Sequence, residues 1–314
     1  MAETKKFNPR SFAVIGAGPV GCILAAFLAK GGHKVILCDV LPELVQPALQ
    51  RGIVIEGAEN LQAVVHQVVT NVDDLSKLSP DVIFLTVKAH ALPLIASSIE
   101  GFYRKGMAVV SWQNGIDTEW VLAKNLGKDP VMRAVVNYGC TLVKPAHAHM
   151  AFHHAPHYIQ ELSPESRAAA MGVAQILTGC GLVTHHTEQI VSMVWRKSIM
   201  NACMNPVCAV TGMTMAQAMN DPIVFEIIDA LVKECVKVAR VNEISLGWDF
   251  YPYAMGYMRQ AGNHKPSMLV DLENRRRTEI DFMNGKFIEY GRQAGIETPF
   301  NQTLRALVKA KEPK

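Results

Sequence analysis

Residues 12–30 read FAVIGAGPVGCILAAFLAK: a short apolar run, a glycine-rich turn, and a longer apolar stretch rich in alanine and leucine. A short apolar run that ends in glycine is typical of a buried parallel strand, which we predict over residues 12–15. We predict a helix over Pro19–Lys30, which Gly31-Gly32 ends because glycine tolerates the left-handed backbone conformation. The stretch therefore predicts a strand, a tight turn and a helix.

The turn has the form G-x-G-x-x-G, and a strand precedes it while a helix follows it. In this arrangement the first glycine permits the tight turn, the second lets the backbone approach a pyrophosphate, and the third lets the helix pack on the strand. The start of the helix offers unpaired N–H groups and a partial positive charge to phosphates. We predict that a dinucleotide binds here, in contact with Gly16, Ala17, Gly18, Pro19, Val20 and Gly21.

An acidic residue, Asp39, follows the second predicted strand at 35–38. A carboxylate at this place accepts hydrogen bonds from the adenosine ribose hydroxyls and repels the 2′-phosphate of NADP. Residues 40–43 supply no arginine that would bind such a phosphate. The sequence therefore favours NAD, and the alternative is that Asp39 only caps the following helix.

Further strands and helices alternate along the first half of the chain. Apolar runs at 82–87 and 107–111 predict buried strands, and the segments around 91–99 and 117–126 predict helices between them. Such alternation indicates a doubly wound parallel sheet of Rossmann type, an α/β fold.

The pattern changes towards the C-terminus. Residues 147–162 predict extended strands and 164–178 a helix, and long helical segments follow at 188–205, 222–242 and 282–294. We predict a dinucleotide-binding domain over 1–187 and a mostly helical substrate-binding and catalytic domain over 188–314.

The composition excludes several classes of protein. Of the 314 residues 49% are hydrophobic and 19% charged, so the chain can bury large cores and is not disordered. The net charge of +3 gives no strong attraction for nucleic acid, and we interpret the basic run 275–277 as a solvated helix face.

The cysteines and the apolar stretches together indicate the cellular compartment of the protein. Seven cysteines without a CxxC pair fit buried reduced thiols. The apolar stretch at 12–29 contains three glycines and Pro19 and lacks a signal-peptide cleavage site, and no other stretch is long and apolar enough to span a bilayer. We predict a cytoplasmic protein with neither nucleic-acid nor membrane partners.

A polar stripe runs along one predicted helix of the second half. Lys197, Asn201 and Asn205 are spaced four residues apart, so each step turns by only about 40° and rises about 6 Å along a helix. We expect the stripe to face a ligand, because unpaired buried polar groups are costly; a structural network between the domains is the alternative. Pro206 has no N–H for the carbonyl of Ala202, so the helix is expected to kink or end there.

This stripe lies in the segment VWRKSIMNACMNP at 194–206. Further segments are PSMLVD at 266–271, RRTEID at 276–281 with Asn284-Gly285, and TVKA at 86–89 with QNG at 113–115. Together with the glycine turn, they resemble the ketopantoate reductase family (2-dehydropantoate 2-reductases). The likeness runs from about Ser11 to about Val308.

The resemblance implies roles for individual residues. It implies that Lys197 is the catalytic acid, that Glu279 lies at the active site near the cofactor, and that Asn201, Asn205 and Ser267 bind substrate. It implies positions beside the cofactor for Lys88 and Asn114, and we include Cys140 among the predicted cofactor-binding residues. The family is typically NADPH-dependent, which keeps NADP open beside NAD.

The chain departs from the family pattern in three places. Asp39 makes the end of the second strand acidic, and Met215 stands where some members carry a further substrate-binding asparagine. The aromatic segment 248–253 is also outside the pattern; it forms either a wall of the substrate pocket or helix packing.

Five histidines cluster at 147–157, but we predict no metal site. No carboxylate or cysteine of ligand spacing joins them, and strand alternation is expected to split them between faces. Substrate contact by one or two of them, or ordinary surface and packing roles, are the other interpretations.

We predict an NAD(P)-dependent oxidoreductase that transfers hydride between the nicotinamide and a small 2-oxo or 2-hydroxy acid, acting as a homodimer. A positioned ammonium such as that of Lys197 donates a proton to the substrate oxygen and stabilises its developing charge. The alternatives are a dehydrogenase of the wider β-hydroxyacid or 6-phosphogluconate type on another substrate, and a non-catalytic dinucleotide sensor.

Overall fold

The computed structural model describes residues 7–314, which form two compact units. The first unit contains the chain up to Gln113 together with Asp117–Ile190, and the second contains Asn114–Ile116 and Val191–Lys314. A short loop of the N-terminal half thus belongs to the second unit. The domain ranges 1–187 and 188–314 stay a prediction.

Two sheets lie in the first unit. Their strands are β1 (Ser11–Ile15), β2 (Lys34–Cys38), β3 (Ile53–Gly57), β4 (Leu61–Ala63), β5 (Gln67–Val69), β6 (Val82–Leu85), β7 (Ala108–Ser111), β8 (Val131–Val135), β9 (Tyr138–Lys144), β10 (His147–His153), β11 (His157–Glu161) and β12 (Thr184–His186).

The larger sheet has the strand order β12-β11-β8-β7-β6-β1-β2-β5. Its neighbours are parallel, except that β11 runs antiparallel to β8. β1 lies between β2 and β6, and its Phe12 is in register with Val35 on one side and Val82 on the other. The carboxyl ends of β1, β2 and β6 therefore meet at one edge, where a doubly wound sheet binds its ligand.

Helices of the first unit connect these strands: α1 (Pro19–Lys30), α2 (Pro42–Gln50), α3 (Leu75–Leu78), α4 (Leu92–Glu100), α5 (Thr118–Leu126) and α6 (Arg167–Gly179), with single turns at Val72–Asp74, Ala89–Ala91 and Pro164–Ser166. α1 is buried from Gly21 to Leu28 because it contacts strands of both sheets. The predicted Rossmann-type fold is confirmed.

The smaller sheet has the order β4-β3-β10-β9 and was only partly predicted. The extended segment 147–162 contains β10 and β11, which belong to different sheets. β10 pairs with β3, parallel, and with β9, antiparallel. No sequence pattern predicted β3 or β4.

The second unit is helical, as predicted: α7 (Ile190–Thr211, whose first residue is in the first unit), α8 (Met215–Asn220), α9 (Pro222–Val241), α10 (Phe250–Arg259), α11 (Ser267–Glu273), α12 (Asn284–Gln293) and α13 (Pro299–Lys311), with one turn at Ile280–Phe282. The basic run 275–277 is exposed, but the prediction of a helix face is wrong because α11 ends at Glu273. Arg276 instead lies 3.4 Å from Asp271.

Candidate active site

The glycine turn leaves no room for side chains at two of its three glycines. Gly16 has a φ of +111°, and a Cβ there would lie 2.8 Å from the N of Val87. A Cβ on Gly21 would lie 1.8 Å from the carbonyl oxygen of Gly16. Gly18 differs, because a Cβ there would meet no atom within 4 Å. The backbone at Gly18 therefore borders open space at the start of α1, which fits a bound pyrophosphate.

Two side chains hold this turn in place. The hydroxyl of Thr86 donates to the carbonyl oxygens of Ile15 (3.0 Å) and Gly16 (2.9 Å). The Asp39 carboxylate accepts from the N–H of Ala17 at 2.8 Å and from that of Leu41 at 3.2 Å. Leu41 is the N-cap of α2 and no side chain caps that helix. Asp39 therefore orders the glycine turn, and the capping alternative for it is wrong.

The first turn of α1 is also held from the side. The hydroxyl of Tyr138 donates to the carbonyl of Val20 at 3.3 Å and accepts from the indole N–H of Trp112 at 3.3 Å. Burial raises the pKa of Tyr138 well above its usual value, so the phenol stays protonated and remains a donor. Cys140 lies two residues further along β9. Its contact with the cofactor, like that of Lys88, stays a prediction.

A buried polar network lies at the end of β7. Arg133 donates to the hydroxyl of Ser111 (3.2 Å) and the carbonyl of Gln113 (2.8 Å), and its Nε lies 3.3 Å from Glu119. The Ser111 hydroxyl in turn lies 2.7 Å from that of Thr118. Burial raises the pKa of Glu119, and the Arg133 charge opposes the shift. The network fixes the backbone up to Gln113, one residue before Asn114.

The next residues, Asn114–Ile116, pack within the second unit. The N–H of Ile116 donates to the carbonyl of Phe282 at 3.0 Å. Gly115 has a φ of +102°, and a Cβ there would lie 2.9 Å from both Cβ and O of Phe282. Glu279 is three residues before Phe282 and is buried. The structure thus places the predicted cofactor residue Asn114 beside the turn that begins with the predicted catalytic glutamate.

α7 carries the predicted polar stripe. Lys197 and Asn201 are half-buried, whereas Asn205 is buried and its amide donates to the sulfur of Met283 at 3.7 Å. The helix is anchored by Trp195, whose ring packs edge-on against Phe287 at 5.4 Å and against Tyr290. One end of the stripe therefore touches the segment that follows Glu279.

The helix was predicted to kink or end at Pro206; an end there is wrong, because α7 continues to Thr211, and a kink stays a prediction. Pro206 does leave the carbonyl of Ala202 without its helical donor. The side-chain amide of Asn284 donates to that carbonyl at 2.9 Å. A donor from far along the chain therefore replaces the missing N–H.

The turn that begins with Glu279 is tied on one side to α13 and on the other to Glu312, the residue that follows α13. The N–H and hydroxyl of Thr278 donate to Glu312 at 2.9 and 2.6 Å. Asp281 accepts from Arg305 at 2.8 Å and from Lys309 at 3.1 Å. Burial raises the pKa of Asp281, but the hydrogen bonds from these two cations outweigh it, so the net pKa is lowered.

Ser267 and the aromatic segment also belong to the second unit. Ser267 is exposed at the first position of α11, and its contact with substrate stays a prediction. In the aromatic segment, Trp248 is 95% exposed, and Phe250 is buried under the guanidinium of Arg196. The N–H of Met215 donates to the carbonyl of His264 at 3.2 Å.

The histidines at 147–157 fall into separate groups. His147 and His149 both approach Glu56, at 2.9 and 3.9 Å, so these two lie on one face of β10, as strand alternation requires of residues two apart. His153 lies 3.2 Å from His157 instead. Within residues 7–314, no group of three or more histidine, cysteine, aspartate or glutamate side chains is arranged to hold a metal ion.

Comparison with known proteins gives a consistent family. The family model described as "Ketopantoate reductase PanE/ApbA" matches residues 12–164, and the model of its C-terminal part matches residues 189–312. A 2-dehydropantoate 2-reductase of Pyrococcus horikoshii is 31% identical over 300 residues, covering 95% of this chain and 96% of that protein. The chain belongs to the ketopantoate reductase family.

Other members and neighbours agree. The 2-dehydropantoate 2-reductase of Streptococcus pyogenes is 28% identical over 301 residues, covering 95% of this chain and 97% of that protein. A ketopantoate reductase structure from Ralstonia eutropha superposes with a TM-score of 0.85 at 26% identity, covering 96% of this chain and 98% of that one. A ternary structure of D-mandelate dehydrogenase with NADH and anilino(oxo)acetate superposes with a TM-score of 0.86 at 27% identity and the same coverage.

As a ketopantoate reductase family member, the chain is an NAD(P)-dependent oxidoreductase of the 2-dehydropantoate 2-reductase type, acting on a CH–OH group. Among residues 7–314, no helix combines the length and apolar character that crossing a bilayer requires.

Several supporting residues were missed by the sequence analysis. Thr86 stands in the quoted TVKA segment, so its place beside the glycine turn had a local signal. Tyr138, Arg133 and the donor role of Asn284 had none, because their partners lie far away in the chain.

Proposed function

We propose that this chain reduces a small 2-oxo acid to the 2-hydroxy acid, with Lys197 as the general acid. The observation that carries the proposal is the packing of Asn114–Ile116 on Phe282, because it sets a predicted cofactor contact beside the turn of Glu279. The bound nicotinamide supplies the hydride. Lys197 donates its proton to the substrate oxygen as negative charge develops there.

The remaining polar residues orient the substrate. Asn201 and Asn205 follow Lys197 at one-turn intervals on α7, so their amides suit the carboxylate and the oxygen of a small acid. Ser267 adds a hydroxyl donor. Glu279 is buried, and its carboxylate holds Lys197 or the substrate hydroxyl in place.

The test of the general acid is Lys197→Ala, with the exposed Lys237→Ala on α9 as the matched control. Removing the proton donor is expected to lower kcat about 100-fold or more while the Kd for the reduced cofactor is roughly kept. Lys237→Ala is expected to leave both unchanged. Full turnover by Lys197→Ala rejects the assignment.

We propose NAD as the preferred cofactor, with NADP possible. The Asp39 carboxylate orders the glycine turn through Ala17, and its negative charge disfavours a 2′-phosphate nearby. KM is expected to be lower for NADH than for NADPH. Asp39→Asn keeps an acceptor for the N–H of Ala17 but removes the negative charge. The variant is therefore expected to have a smaller difference in KM between NADH and NADPH. A lower KM for NADPH in the parent chain reverses the proposal.

Two substrate classes compete, 2-dehydropantoate and an aryl 2-oxo acid. The second is favoured by the likeness to D-mandelate dehydrogenase and by apolar Met215, which replaces an asparagine of some members. The two acids are compared by kcat/KM with both cofactors. Met215→Asn is expected to shift the ratio towards 2-dehydropantoate, and an unchanged ratio excludes a role of this residue in selection.

Cofactor binding without turnover on a wide panel of 2-oxo and 2-hydroxy acids would favour the sensor alternative. Turnover confined to 3-hydroxy acids would favour the wider β-hydroxyacid type. We also propose a homodimer, which light scattering of the purified protein tests directly.

A further inference from the structure

One chain of hydrogen-bonded polar groups joins four helices of the second unit. Glu234 of α9 accepts from the N–H of Asn301 at 2.9 Å and from its side-chain amide at 2.7 Å. The side-chain oxygen of Asn301, in α13, accepts from the amide of Asn284 at 2.8 Å. That same Asn284 amide, at the start of α12, donates to the carbonyl of Ala202 in α7. Asn284 and Asn301 are fully buried.

The carboxylate of Glu234 fixes the direction of every bond in this chain. A carboxylate only accepts, so the Asn301 NH₂ faces Glu234 and its oxygen faces Asn284. The NH₂ of Asn284 must then point towards Asn301 and Ala202. Asn284 is thereby held as the donor for the one carbonyl that Pro206 deprives of its helical partner.

This bond is made at the middle of the polar stripe. Ala202 follows Asn201 directly and lies between Lys197 and Asn205. Met283, the residue before Asn284, accepts a hydrogen bond from the side-chain amide of Asn205. Residues 283 and 284 thus contact α7 at two points, five residues or fewer after Glu279.

We propose that Asn284 is a positioning residue of the active site: by bonding to Ala202 it sets the rotation of α7, and so the placement of Lys197 and Asn201 relative to Glu279. The inference rests on the proposed function. Asn284 does not touch the reacting atoms in this scheme. Because Pro206 has no N–H for the carbonyl of Ala202, the amide of Asn284 donates to it instead. This bond connects α7 to the segment that follows Glu279.

A double-mutant cycle on Asn284→Ala and Pro206→Ala tests the proposal. An ångström of misplacement costs catalysis up to about 100-fold, so Asn284→Ala is expected to lower kcat by about tenfold or more, with the Kd for NADH unchanged. In the Pro206→Ala background, the new N–H at 206 serves Ala202. Loss of Asn284 is then expected to cost at least threefold less in kcat.

Asn242→Ala is the matched control, because Asn242 also donates from its side chain to a backbone carbonyl, that of Val238, at 2.8 Å. It is expected to lower the melting temperature without changing kcat. Equal kcat losses from Asn284→Ala in both backgrounds, or a loss of thermal stability alone, would overturn the inference while leaving the proposed function intact. A parent chain without turnover on any 2-oxo acid rejects both.

If Asn284→Ala does not fold, Asn284→Asp replaces it in the cycle. An aspartate of the same shape donates only when protonated. The ratio of its kcat to that of the parent is therefore expected to rise as the pH falls, and a pH-independent ratio contradicts the proposal.

Discussion

Alanine at Gly21 is expected to damage the fold, whereas alanine at Gly18 is expected to damage only cofactor binding, although both glycines belong to one turn. A Cβ on Gly21 would lie 1.8 Å from the Gly16 carbonyl oxygen and 2.6 Å from the Thr86 hydroxyl. Ordinary contact begins at 3.4 Å, so α1 and the Gly16 carbonyl have to separate by the difference, 1.6 Å. A Cβ on Gly18 would meet no atom within 4 Å, and the φ of Gly18 is −69°, which alanine adopts freely.

These distances set the expected magnitudes. Overpacking typically costs about 1–3 kcal/mol, and the rigid backbone at Gly21 puts Gly21→Ala at the upper end, about 3 kcal/mol. A unit of this size loses about 2–4 °C of Tm per kcal/mol, so Tm is expected to fall by about 6–12 °C. For Gly18→Ala the loss of an N-cap glycine costs less than about 1 kcal/mol. Its methyl group fills the space proposed for the pyrophosphate, so the Kd for NADH is expected to rise about tenfold or more, equivalent to about 1.4 kcal/mol.

Thermal unfolding and a fluorescence titration with NADH measure both effects on the same samples. The thermal unfolding is done without added cofactor, because a bound ligand raises Tm. A Gly18→Ala variant that binds NADH like the parent refutes the assignment of this space to the cofactor. A Gly21→Ala variant with an unchanged Tm refutes the packing argument.

Three further outcomes are expected. Arg133→Met leaves the Glu119 carboxyl buried without its cation, which typically costs about 3–5 kcal/mol, so Tm is expected to fall well below that of the parent, and an unchanged Tm would mean that the pair adds nothing. Thr86→Val removes both hydrogen bonds to the glycine turn with little change in shape, so the Kd for NADH is expected to rise severalfold while Tm drops by only a few degrees; tight binding would show that the turn orders itself. The pKa values of Asp281 and Glu312 are lowered in the folded protein, so their stabilising contribution is complete above the usual carboxyl pKa of about 4 and is lost as the pH falls below it. The Tm difference between the parent and Asp281→Asn is therefore expected to be large at neutral pH and to shrink in acid, and a constant difference would exclude this charge as its source.

The N-terminal half was the more predictable part of the fold because its signals are local. Strand, glycine turn and helix follow one another within residues 12–30, and two of the three glycines, Gly16 and Gly21, have a steric reason in the fold. The place of Asp39 at the end of β2 was predicted, although its bond to Ala17 was not. Local sequence signals were therefore enough to predict the candidate cofactor-binding residues of the glycine turn and Asp39.

The features that sequence reasoning missed depend on partners distant in the chain. β3 pairs with β10, a strand that follows it by about 90 residues, so the sequence of either strand alone does not indicate the second sheet. Proline chemistry correctly showed that Ala202 lacks a donor, but only the folded chain shows that Asn284 supplies one and lets α7 continue. Arg133 and Glu119 are closer in the chain, on the consecutive elements β8 and α5, but no local pattern specifies how these two elements pack together.

The loop Asn114–Ile116 limits how this protein can be dissected or recombined. A fragment that stops at Ile190 keeps every strand of both sheets but strips the Phe282 carbonyl from the N–H of Ile116, a residue that is otherwise covered. The dinucleotide affinity measured for such a fragment would therefore be that of a protein in which the loop Asn114–Ile116 has lost its packing partner. In chimaeras with relatives, these three residues should come from the same parent as the C-terminal half, because that half contains Phe282, against which they pack.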